Sequence, residues 1–408
     1  MQSQRKARSL DRHWFERARL TDARALTRGD VLPDDVRGSP RFPRYVSRCD
    51  GAYVWDIDGN RYIDYLLGYG PIVLGHCNQV VNQAAMAELA NGNCFSPLWS
   101  RRQVELTEKL TEVIPGAEMA LLLKTGSDAT SAAVRLARIA TGRDAVLRWG
   151  YNGWHDWSVH EPAGVPATSR ARSFDMSDLL DLERRLAAEP VACVVTMPFE
   201  NDESPDGQLK ELQRMTQAHG ALLVLDEMRS GFRLGLGGAQ DYLDVQADLA
   251  TFSKALANGY AISAVTGRRE LLEGLRSTKI SSTFFANPVD MAAALATIDI
   301  LEHTDALDRI WAAGTLLLSG LRSIIRELGA PAEAIGYPPM PFLRFTPDDD
   351  GLHRHLRDKF YEETTARGVL LHPDHQWFTS AAHTESDIER TLVACHQAMK
   401  IALSYHAP

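Results

Sequence analysis

The feature that most constrains the fold is an alternation of apolar and amphipathic segments that begins near residue 100. The segments MALLLK, DAVLRW, VACVVTMPF, ALLVLDE and DLATFSK are short and almost continuously apolar, which is typical of strands buried on both faces. Between them lie longer segments with apolar residues at helical spacing, such as SDATSAAVRLARIATG and QLKELQRMTQAHG. This alternation predicts an α/β domain with a mainly parallel sheet that helices cover on both faces.

The two ends of the chain have a different pattern. Residues 30–50 are rich in proline and charge and predict an extended arm that follows an amphipathic helix. The segment GAYVWDIDGNRYIDYL alternates apolar residues around the turn DGN and predicts a β-hairpin. Long helices and a small α+β segment occupy the carboxyl-terminal part. We therefore expect residues 66–295 to form a large domain, and residues 1–65 and 296–408 to form a smaller one together.

Composition excludes several classes of protein. The 408 residues carry a formal net charge of −9, which argues against a nucleic-acid-binding surface. No apolar run approaches the length of a membrane span, and the basic amino-terminal segment lacks the apolar stretch of a secretion signal. The five cysteines form no CxxC pair, which predicts reduced thiols in a cytoplasmic protein and no structural zinc site. They are Cys49, Cys77, Cys94, Cys193 and Cys395.

One lysine, Lys254, lies among small and apolar residues in the segment TFSKALANGY. Its stem could pack on these neighbours while the ammonium reaches solvent. Alternatively the amine does covalent chemistry, for which a desolvated lysine is suited. Asp226 ends the preceding buried strand, and a carboxylate there can cap a loop or hold a proton on the ring nitrogen of a ligand. The segments around these two residues decide between the interpretations.

Two further motifs follow predicted strands. KTGSDAT opens a helix directly after a strand, where amides and hydroxyls can bind a phosphate, although such residues also begin helices routinely. GYNGWHDW places Tyr151 where its ring could stack on a heteroaromatic ligand or pack in the protein. The carboxyl ends of parallel strands meet at one edge of the sheet. A lysine, a carboxylate, a phosphate site and an aromatic face at that edge fit pyridoxal phosphate.

These motifs, in this order, resemble the class III pyridoxal-phosphate-dependent aminotransferases, most closely the glutamate-1-semialdehyde aminomutase-like branch. The similarity covers nearly the whole chain and includes GAYVWDIDGNRYIDYLLGYGPIVLGH, TGSDAT, GYNGWHDW, LDEMRSGFR, TFSKALANGY, TFFANPVDMAAALAT and SAAHTESDIERTL. The resemblance implies the fold type I, or aspartate aminotransferase-like, architecture. This architecture has a mainly parallel seven-stranded sheet and a second, smaller α+β domain built from both chain ends.

The resemblance also implies roles for individual residues. Lys254 forms an imine with the aldehyde of the cofactor and carries the proton between substrate and cofactor carbons. Asp226 pairs with the pyridine nitrogen, and Gly126 and Ser127 bind the phosphate.

Three more residues contact the cofactor by the same resemblance. Tyr151 stacks on one face of the ring and Met228 lies on the other. Thr283 reaches the phosphate of the neighbouring subunit's cofactor, so the active unit is expected to be a homodimer.

The chain departs from the family pattern at several positions. The usual Tyr-His-Gly is Tyr-Asn-Gly here, with Asn152 at its centre, and Lys124 replaces a frequent asparagine before the phosphate motif. A common Glu-Pro pair is Met-Pro, followed by an acidic run that begins at Glu200. The segment YPPMPFLRF replaces a glycine-rich stretch of the mutase.

A substrate carboxylate clamp is also missing at its usual place. Many members of the family carry an arginine near the carboxyl end, but none lies between His372 and Glu385. Arg41 or Arg44 of the arm could substitute. For substrate contacts we select other residues, each of which could instead be structural or solvated. They are Tyr69, Glu200, His375 and Trp377.

We therefore predict an aminotransferase that moves an amino group from an amino-acid donor, glutamate or glutamine, to a carbonyl of a multifunctional acceptor. An amino sugar or aminocyclitol of an aminoglycoside-type, antibiotic-producing pathway is our example, since the acidic run favours a neutral or cationic acceptor. One alternative keeps the cofactor but shifts the amine within one molecule or epimerises an amine-bearing carbon. Another is a non-catalytic relative, which the presence of both Lys254 and Asp226 disfavours.

Overall fold

The chain divides into two compact units. The computed structural model describes residues 9–26, 42–159, 163–204, 207–349 and 351–404. Unit 1 comprises Met1–Asn78, Asn201–Glu203 and Asp308–Pro408, and unit 2 comprises Gln79–Glu200 and Ser204–Leu307. The domain boundaries that we expected from the sequence lie at residues 65/66 and 295/296, somewhat earlier in the chain than these.

The described residues form the following strands and helices. The strands are β1 (Val46–Asp50), β2 (Tyr53–Asp56), β3 (Arg61–Asp64), β4 (Met119–Leu123), β5 (Ala145–Trp149), β6 (Arg172–Ser173), β7 (Val191–Thr196), β8 (Leu222–Asp226), β9 (Leu249–Phe252), β10 (Ser263–Gly267), β11 (Ala332–Ile335), β12 (Phe342–Phe345) and β13 (Val369–Leu370). The helices are α1 (Ser9–Thr21), α2 (Gln79–Leu89), α3 (Arg101–Val113), α4 (Gly126–Thr141), α5 (Leu179–Ala188), α6 (Gln208–Ala218), α7 (Gly238–Tyr242), α8 (Arg269–Leu272), α9 (Pro288–His303), α10 (Ala306–Leu328), α11 (Leu352–Ala366) and α12 (Glu385–Ser404).

Unit 2 is built on a seven-stranded sheet with the order β4-β10-β9-β8-β7-β5-β6. Strand β10 is antiparallel to both of its neighbours, β4 and β9, and the remaining pairs are parallel. Because β4 and β9 both oppose β10, they run in the same direction. The predicted mainly parallel seven-stranded sheet is therefore confirmed, and the short strand SAVTG supplies its antiparallel member.

The central strands are apolar throughout because helices cover both faces of the sheet. All residues of β7 are buried. Successive side chains of a strand point to opposite faces, so Cys193 and Val195 pack in the cluster that contains α4, whereas Val194 packs in the cluster that contains α5 and α6. Because both faces are buried, polar and apolar residues do not alternate along these strands, which explains the continuous apolar segments of the sequence.

One helix of unit 2 corrects an expectation from the sequence. By length and apolar composition the segment Thr283–His303 could span a membrane, whereas we had found no run that approached this length. Within the structure 53% of the apolar window is buried, and α9 packs against α2 and α3. Its buried residues include Met291, Ile298 and Leu301. The structure thus uses Pro288–His303, the helical part of this segment, as a core helix of unit 2.

Unit 1 combines a four-stranded sheet, β1-β2-β3-β13, with the two-stranded sheet β11-β12 and the helices α1, α10, α11 and α12. The predicted hairpin is confirmed: β2 and β3 pair antiparallel, and Asp56 accepts a hydrogen bond from the amide of Asn60 across the turn. The amphipathic lead-in is helix α1. Of the predicted arm, residues 30–41 lie outside the described residues, and the remainder ends in β1.

Helix α10 contains a position that only glycine can occupy. An added Cβ at Gly314 would lie 1.7 Å from the carbonyl oxygen of Pro338. We expect Gly314→Ala to lower the free energy of unfolding by about 2–3 kcal/mol because this backbone atom cannot move aside freely. In an unobstructed helix the same change would stabilise by about 1 kcal/mol. Urea denaturation measures the difference, with Thr315→Ala on the exposed side of the helix as the control. An unchanged midpoint for Gly314→Ala would contradict the packing.

Candidate active site

The carboxyl ends of the six strands that run in one direction in unit 2 meet at one edge of the sheet. Asp226 is the last residue of β8 and pairs with Thr251 of the neighbouring strand β9. Lys254 follows three positions after Thr251 and begins the 3₁₀ turn Lys254–Ala257. The topology therefore brings these two predicted residues together, although they are distant in sequence.

Lys254 has an unusual backbone and an unusual amine. Its φ of 47° lies in the left-handed region, as does that of Asn258 at 46°, and residues other than glycine and asparagine adopt this region uncommonly. Some of its surface remains accessible, but the ammonium is desolvated. This burial, together with the positive charges of Arg229 and Arg233, lowers the pKa of Lys254 to about 8, against the opposing effect of Asp226. At pH 7 a pKa of about 8 leaves about a tenth of the amine uncharged and nucleophilic.

Asp226 is a buried carboxylate with two donors. Its Oδ2 accepts a hydrogen bond from Asn152 Nδ2 at 2.9 Å, and its Oδ1 accepts one from the amide of Met228 at 3.1 Å. Burial raises the pKa of Asp226, whereas the two hydrogen bonds and the charge of Lys254 oppose that rise. Each oxygen keeps an acceptor lone pair, so the group can still receive a proton donor from a ligand.

The start of helix α4 forms an anion site. Thr125 and Asp128 form a capping box, in which each side chain accepts a hydrogen bond from the backbone of the other. The box satisfies the amides of these two residues, while those of Gly126 and Ser127, the first two of the helix, have no intrahelical acceptor. Such amides at the positive end of a sixteen-residue helix bind phosphate readily.

The segment after β5 is tied to this helix start. Gly153 has a φ of 105°, and a Cβ there would lie 2.5 Å from Ser127 Oγ, so only glycine permits this approach. The amide of Trp154 donates to Ser127 Oγ, and Thr130 Oγ1 donates to the carbonyl of Asn152. The phosphate motif, Asn152 and Asp226 thus form one connected group.

The two residues predicted to flank the cofactor ring lie beside this group. Met228 Sδ would be 2.8 Å from a Cβ added at Gly126, so the methionine side chain lies directly against the helix start. Tyr151 is 63% exposed. Their contacts with a cofactor remain predictions.

Two arginines, one partly and one fully buried, complete the surroundings of the lysine. The guanidinium of Arg229 donates to the Sδ of Met197 at 2.9 Å and to the carbonyl of Phe199 at 3.3 Å, and burial lowers its pKa. Arg233 is fully buried, which lowers its pKa to about 9. The sequence analysis assigned no role to either. A charged residue in the turn that follows a buried strand was the signal that could have revealed Arg229.

Thr283 and Lys124 also belong to unit 2. Thr283 is exposed and begins the 3₁₀ turn Thr283–Ala286, so its contact with a neighbouring subunit remains a prediction. Lys124 forms an ion pair with Asp290 in the first turn of α9. Lys124, which replaces an asparagine that is frequent in the family, therefore has a structural partner in Asp290. Glu200 is exposed, and its charge acts on that of Arg229.

The other proposed substrate residues lie in unit 1. Tyr69, at a φ of 67°, contacts the ring of His375 edge-on with 4.9 Å between centroids, and its hydroxyl lies 3.4 Å from His372 Nε2. Trp377 is different, because it is fully buried in the core of unit 1 and donates its indole N–H to the carbonyl of His372. We therefore withdraw Trp377 as a substrate residue, since packing explains its position.

The alternative carboxylate clamp has two members. Arg41 lies outside the described residues. Arg44 forms a 2.8 Å ion pair with the buried carboxylate of Asp11, and its guanidinium stacks on Phe15. Arg44 therefore has a structural role within unit 1, because its guanidinium is paired with Asp11.

Comparison with known proteins identifies this arrangement. The family model of the class III aminotransferases matches residues 36–156 and 169–335. The chain belongs to the class III aminotransferase family. It is similar to the 3-aminobutyryl-CoA aminotransferase of Cloacimonas acidaminovorans, with 37% identity over 90% of this chain and 94% of that one.

Two further relatives have different activities in their names. The glutamate-1-semialdehyde 2,1-aminomutase of Methanothrix thermoacetophila is 36% identical over 94% of this chain and 95% of the relative. The 2'-deamino-2'-hydroxyneamine transaminase of Streptomyces kanamyceticus is 35% identical over 90% and 93%. The FumI protein of Sphingopyxis sp. MTA144, solved in its PLP internal aldimine form, superposes with a TM-score of 0.88 at 30% identity and 97% coverage of both chains. The predicted fold type I architecture is thereby confirmed.

The residues at the strand ends fit pyridoxal phosphate. The structure supplies a desolvated amine, a buried carboxylate, and a helix start with two amides open to an anion. In addition, Asn152 Oδ1 is buried beside this group and has no hydrogen-bond partner among the described residues. Buried polar atoms are rarely left unpaired, so this acceptor is available to a donor from a bound group.

The lowered pKa of Lys254 predicts how the cofactor-free protein responds to pH. Below pH 8 the folded state must hold a desolvated ammonium, which costs up to roughly 3 kcal/mol relative to the unfolded chain. This cost declines as the pH rises from about 8 towards 10.5. We expect cofactor-free Lys254→Met to be more stable than wild type at pH 7, with a smaller advantage at pH 9.5. Urea denaturation at both values measures it.

The control for this experiment is Lys279→Met, which removes an exposed lysine of the same unit. It should change the urea midpoint little at either pH. A Lys254→Met protein that is less stable than wild type at pH 7 would show that the ammonium is not desolvated.

Proposed function

We propose that the protein is an aminotransferase that takes an amino group from an amino-acid donor, glutamate or glutamine, and delivers it to a carbonyl of a multifunctional acceptor. Its cofactor is pyridoxal phosphate. The observation that carries the proposal is the juxtaposition of the Lys254 amine and the Asp226 carboxylate at the ends of adjacent parallel strands, next to the open start of helix α4. Membership of the class III family supports the reaction type.

The chain offers a specific holder for each part of the cofactor. Lys254 would bind the aldehyde covalently, and Gly126 and Ser127 would bind the phosphate. Asp226 would accept the hydrogen bond of the ring nitrogen, and Tyr151 and Met228 would flank the ring. When bound, the cofactor supplies a ring that stabilises negative charge on the reacting carbon.

Lys254 and Asp226 then have complementary proton roles. Lys254 Nζ would take a proton from the amine-bearing carbon of the donor and, in the second half of the reaction, deliver a proton to the former carbonyl carbon of the acceptor. A pKa of about 8 suits this task, because both protonation states of the amine are populated near neutral pH. Asp226 would keep the ring nitrogen protonated through a charge-assisted hydrogen bond.

The acceptor is proposed to bear its carbonyl away from an α-carboxylate. No arginine lies between His372 and Glu385, and Arg44 is paired with Asp11. In unit 1 the candidate contacts Tyr69 and His375 are aromatic. The neamine transaminase at 35% identity supports an amino sugar or aminocyclitol as the example of this class.

The similarity to the Methanothrix glutamate-1-semialdehyde 2,1-aminomutase, at 36% identity, favours one alternative. In this alternative the protein is an aminomutase that moves the amine within a single substrate. Both reactions use the same lysine and differ in whether the nitrogen leaves with the first product. The fate of the nitrogen therefore distinguishes them.

We expect cofactor-loaded protein to convert one equivalent of L-glutamate or L-glutamine per active site into the corresponding keto acid, with loss of the absorbance of the cofactor's imine with the protein. Nitrogen-15 from the donor should remain on the protein-bound cofactor until an acceptor is added. Lys254→Ala should slow the reaction by at least about 10²-fold because the proton carrier is missing. Absorbance measures the rates of wild type and variant, and mass spectrometry follows the nitrogen-15 label.

Borohydride reduction provides a readout that does not depend on turnover. In wild type it should attach the cofactor permanently to the peptide that contains Lys254, and in Lys254→Ala it should not. Lys279→Ala serves as the control. The transaminase proposal is wrong if neither donor reacts, and the mutase is favoured if labelled nitrogen stays within glutamate-1-semialdehyde when no donor is present.

We also propose that the active unit is a homodimer in which Thr283 contacts the partner's cofactor. Several large apolar side chains of unit 2 are exposed in the single chain: Leu98 at 74%, Trp99 at 78% and Phe284, the residue next to Thr283, at 61%. Exposed apolar residues of this size are typical of interfaces. A second copy of the chain would remove them from water.

We expect Trp99→Glu to shift the protein from dimer to monomer, weakening dimerisation by roughly 30-fold or more, as for a buried aromatic interface residue. Light scattering across a concentration series measures this. The control is Leu180→Glu, which replaces a 72% exposed leucine of helix α5 in the same unit. A wild-type protein that is monomeric at micromolar concentration, or an equal effect of both variants, would exclude this surface.

A further inference from the structure

Four consecutive residues of unit 1 have left-handed backbones. Leu67, Gly68, Tyr69 and Gly70 have φ values of 45°, 65°, 67° and 103°. Glycine adopts such values readily, but a leucine and a tyrosine with positive φ are outliers. Residues in such conformations persist only where the surrounding structure holds them there. We call residues 65–75, which contain these four, the Tyr69 loop.

The fold fixes both ends of the Tyr69 loop. Before the loop, Asp64 is the last residue of strand β3. After the loop, His76 pairs with Gly51 through two backbone hydrogen bonds of 2.8 and 3.0 Å. Only glycine fits at position 75, because a Cβ there would lie 2.4 Å from Ala382 Cβ. The loop therefore leaves the sheet of unit 1 at β3 and returns beside the end of β1.

An ion pair joins the two ends. His76 Nε2 lies 2.8 Å from Asp64 Oδ2, and the two side chains are only 12% and 5% exposed. Burial alone lowers the pKa of His76, but interactions led by the hydrogen bond to Asp64 raise it to about 9, so the imidazole is mostly protonated at pH 7. Such a charge-assisted hydrogen bond is stronger than a neutral one, and removing one partner leaves the other charge buried and unpaired.

The same carboxylate also fixes the start of the left-handed stretch. Asp64 Oδ1 accepts hydrogen bonds from the amides of Leu66 and Leu67 at 2.8 and 3.2 Å. In the turn that follows, the amide of Tyr69 donates to the carbonyl oxygen of Leu66 at 2.9 Å. Through its two oxygens Asp64 thus connects the histidine at the end of the loop with the backbone at its start.

The loop places one aromatic side chain beside two histidines of unit 1. The hydroxyl of Tyr69 lies 3.4 Å from His372 Nε2, and its ring meets that of His375 edge-on with 4.9 Å between centroids. A Cβ added at Gly70 would lie 2.9 Å from the ring of Phe378, so the loop backbone lies directly against this cluster. A change in the loop backbone would therefore move Tyr69 relative to the histidines.

We propose that Asp64 and His76 are positioning residues whose ion pair holds the Tyr69 loop in its left-handed conformation and so determines where Tyr69 lies. Because Tyr69 is a candidate contact of the acceptor, loss of the pair weakens acceptor binding and leaves the groups that hold the cofactor unchanged. This consequence for the acceptor rests on the proposed function. The effect on the loop conformation does not depend on it.

Hydrogen–deuterium exchange of the full-length, cofactor-loaded protein tests the loop directly. In His76→Leu we expect the peptide that contains Tyr69 and Gly70 to exchange at least about tenfold faster than in wild type, because a locally opened segment loses its protection. Peptides from helix α10 in the core of unit 1 should not change. Should His76→Leu fail to fold, His76→Asn replaces it, because the asparagine amide is too short to reach Asp64.

Two further variants separate the ion pair from a general loss of stability. His76→Gln should keep the exchange of the loop within about threefold of wild type, since its longer amide can still donate to Asp64. The matched control is His396→Leu, which removes another histidine–carboxylate pair of unit 1, the 3.0 Å contact of His396 with Glu327. It should leave the exchange of the Tyr69 loop unchanged.

Steady-state kinetics test the consequence for the acceptor. The probe is the aminocyclitol 2-deoxystreptamine, used as the amine in the reverse direction with 2-oxoglutarate. His76→Leu should raise the KM for the aminocyclitol at least about tenfold, whereas kcat and the KM for 2-oxoglutarate should change less than about threefold. Adding His76→Leu to Tyr69→Ala should raise the KM no further, because the histidine acts through the tyrosine.

The outcomes distinguish this proposal from the proposed function. Unchanged exchange of the Tyr69 loop in His76→Leu, or an equal change in His396→Leu, would overturn the role of the ion pair. A KM increase that adds to that of Tyr69→Ala would overturn the action of His76 through Tyr69. If wild type does not turn over 2-deoxystreptamine, the proposed acceptor class is wrong, and the exchange result alone supports or overturns the role of the ion pair.

Discussion

The site depends on one physical constraint, which is the removal of the Lys254 amine from water next to a buried carboxylate. Desolvation disfavours the ammonium, and the positive charges of Arg229 and Arg233 disfavour it further. Asp226 opposes both effects, but the net result is a lysine whose pKa is lowered to about 8. Such an arrangement is destabilising for the empty protein and useful for covalent chemistry. The rest of unit 2 can be understood as the structure that holds these groups in place despite this cost.

The parallel sheet makes the arrangement possible. Asp226 and Lys254 lie at the ends of adjacent strands whose register pairs Asp226 with Thr251. Both strands are buried on both faces, so neither end can move without disturbing the packing of the helices. The left-handed backbone of Lys254 persists for the same reason, since surrounding structure must maintain a conformation that is locally unfavourable.

The sequence predicted the parts of the site that depend on local patterns. Continuous apolar segments identified the buried strands, and the residues directly after them identified Lys254, Asp226 and the start of α4. What it could not predict are contacts across long sequence separations. The burial of Trp377 in the core of unit 1 follows from packing with α11 and α12, which a short sequence window does not reveal. The contact between His76 and Asp64 is invisible for the same reason, because a single β-bridge between Gly51 and His76 helps to place the histidine.

Asn152 shows how a departure from the family pattern can be interpreted physically. A histidine at this position could exchange a proton with Asp226, whereas an amide cannot titrate and can only donate through Nδ2. The charge of Asp226 is therefore set by burial, by its two hydrogen bonds and by whatever binds on its remaining lone pairs. Asn152 also links Asp226 to the segment that carries Tyr151 and to helix α4 through Thr130, so it positions the carboxylate without being a titratable neighbour.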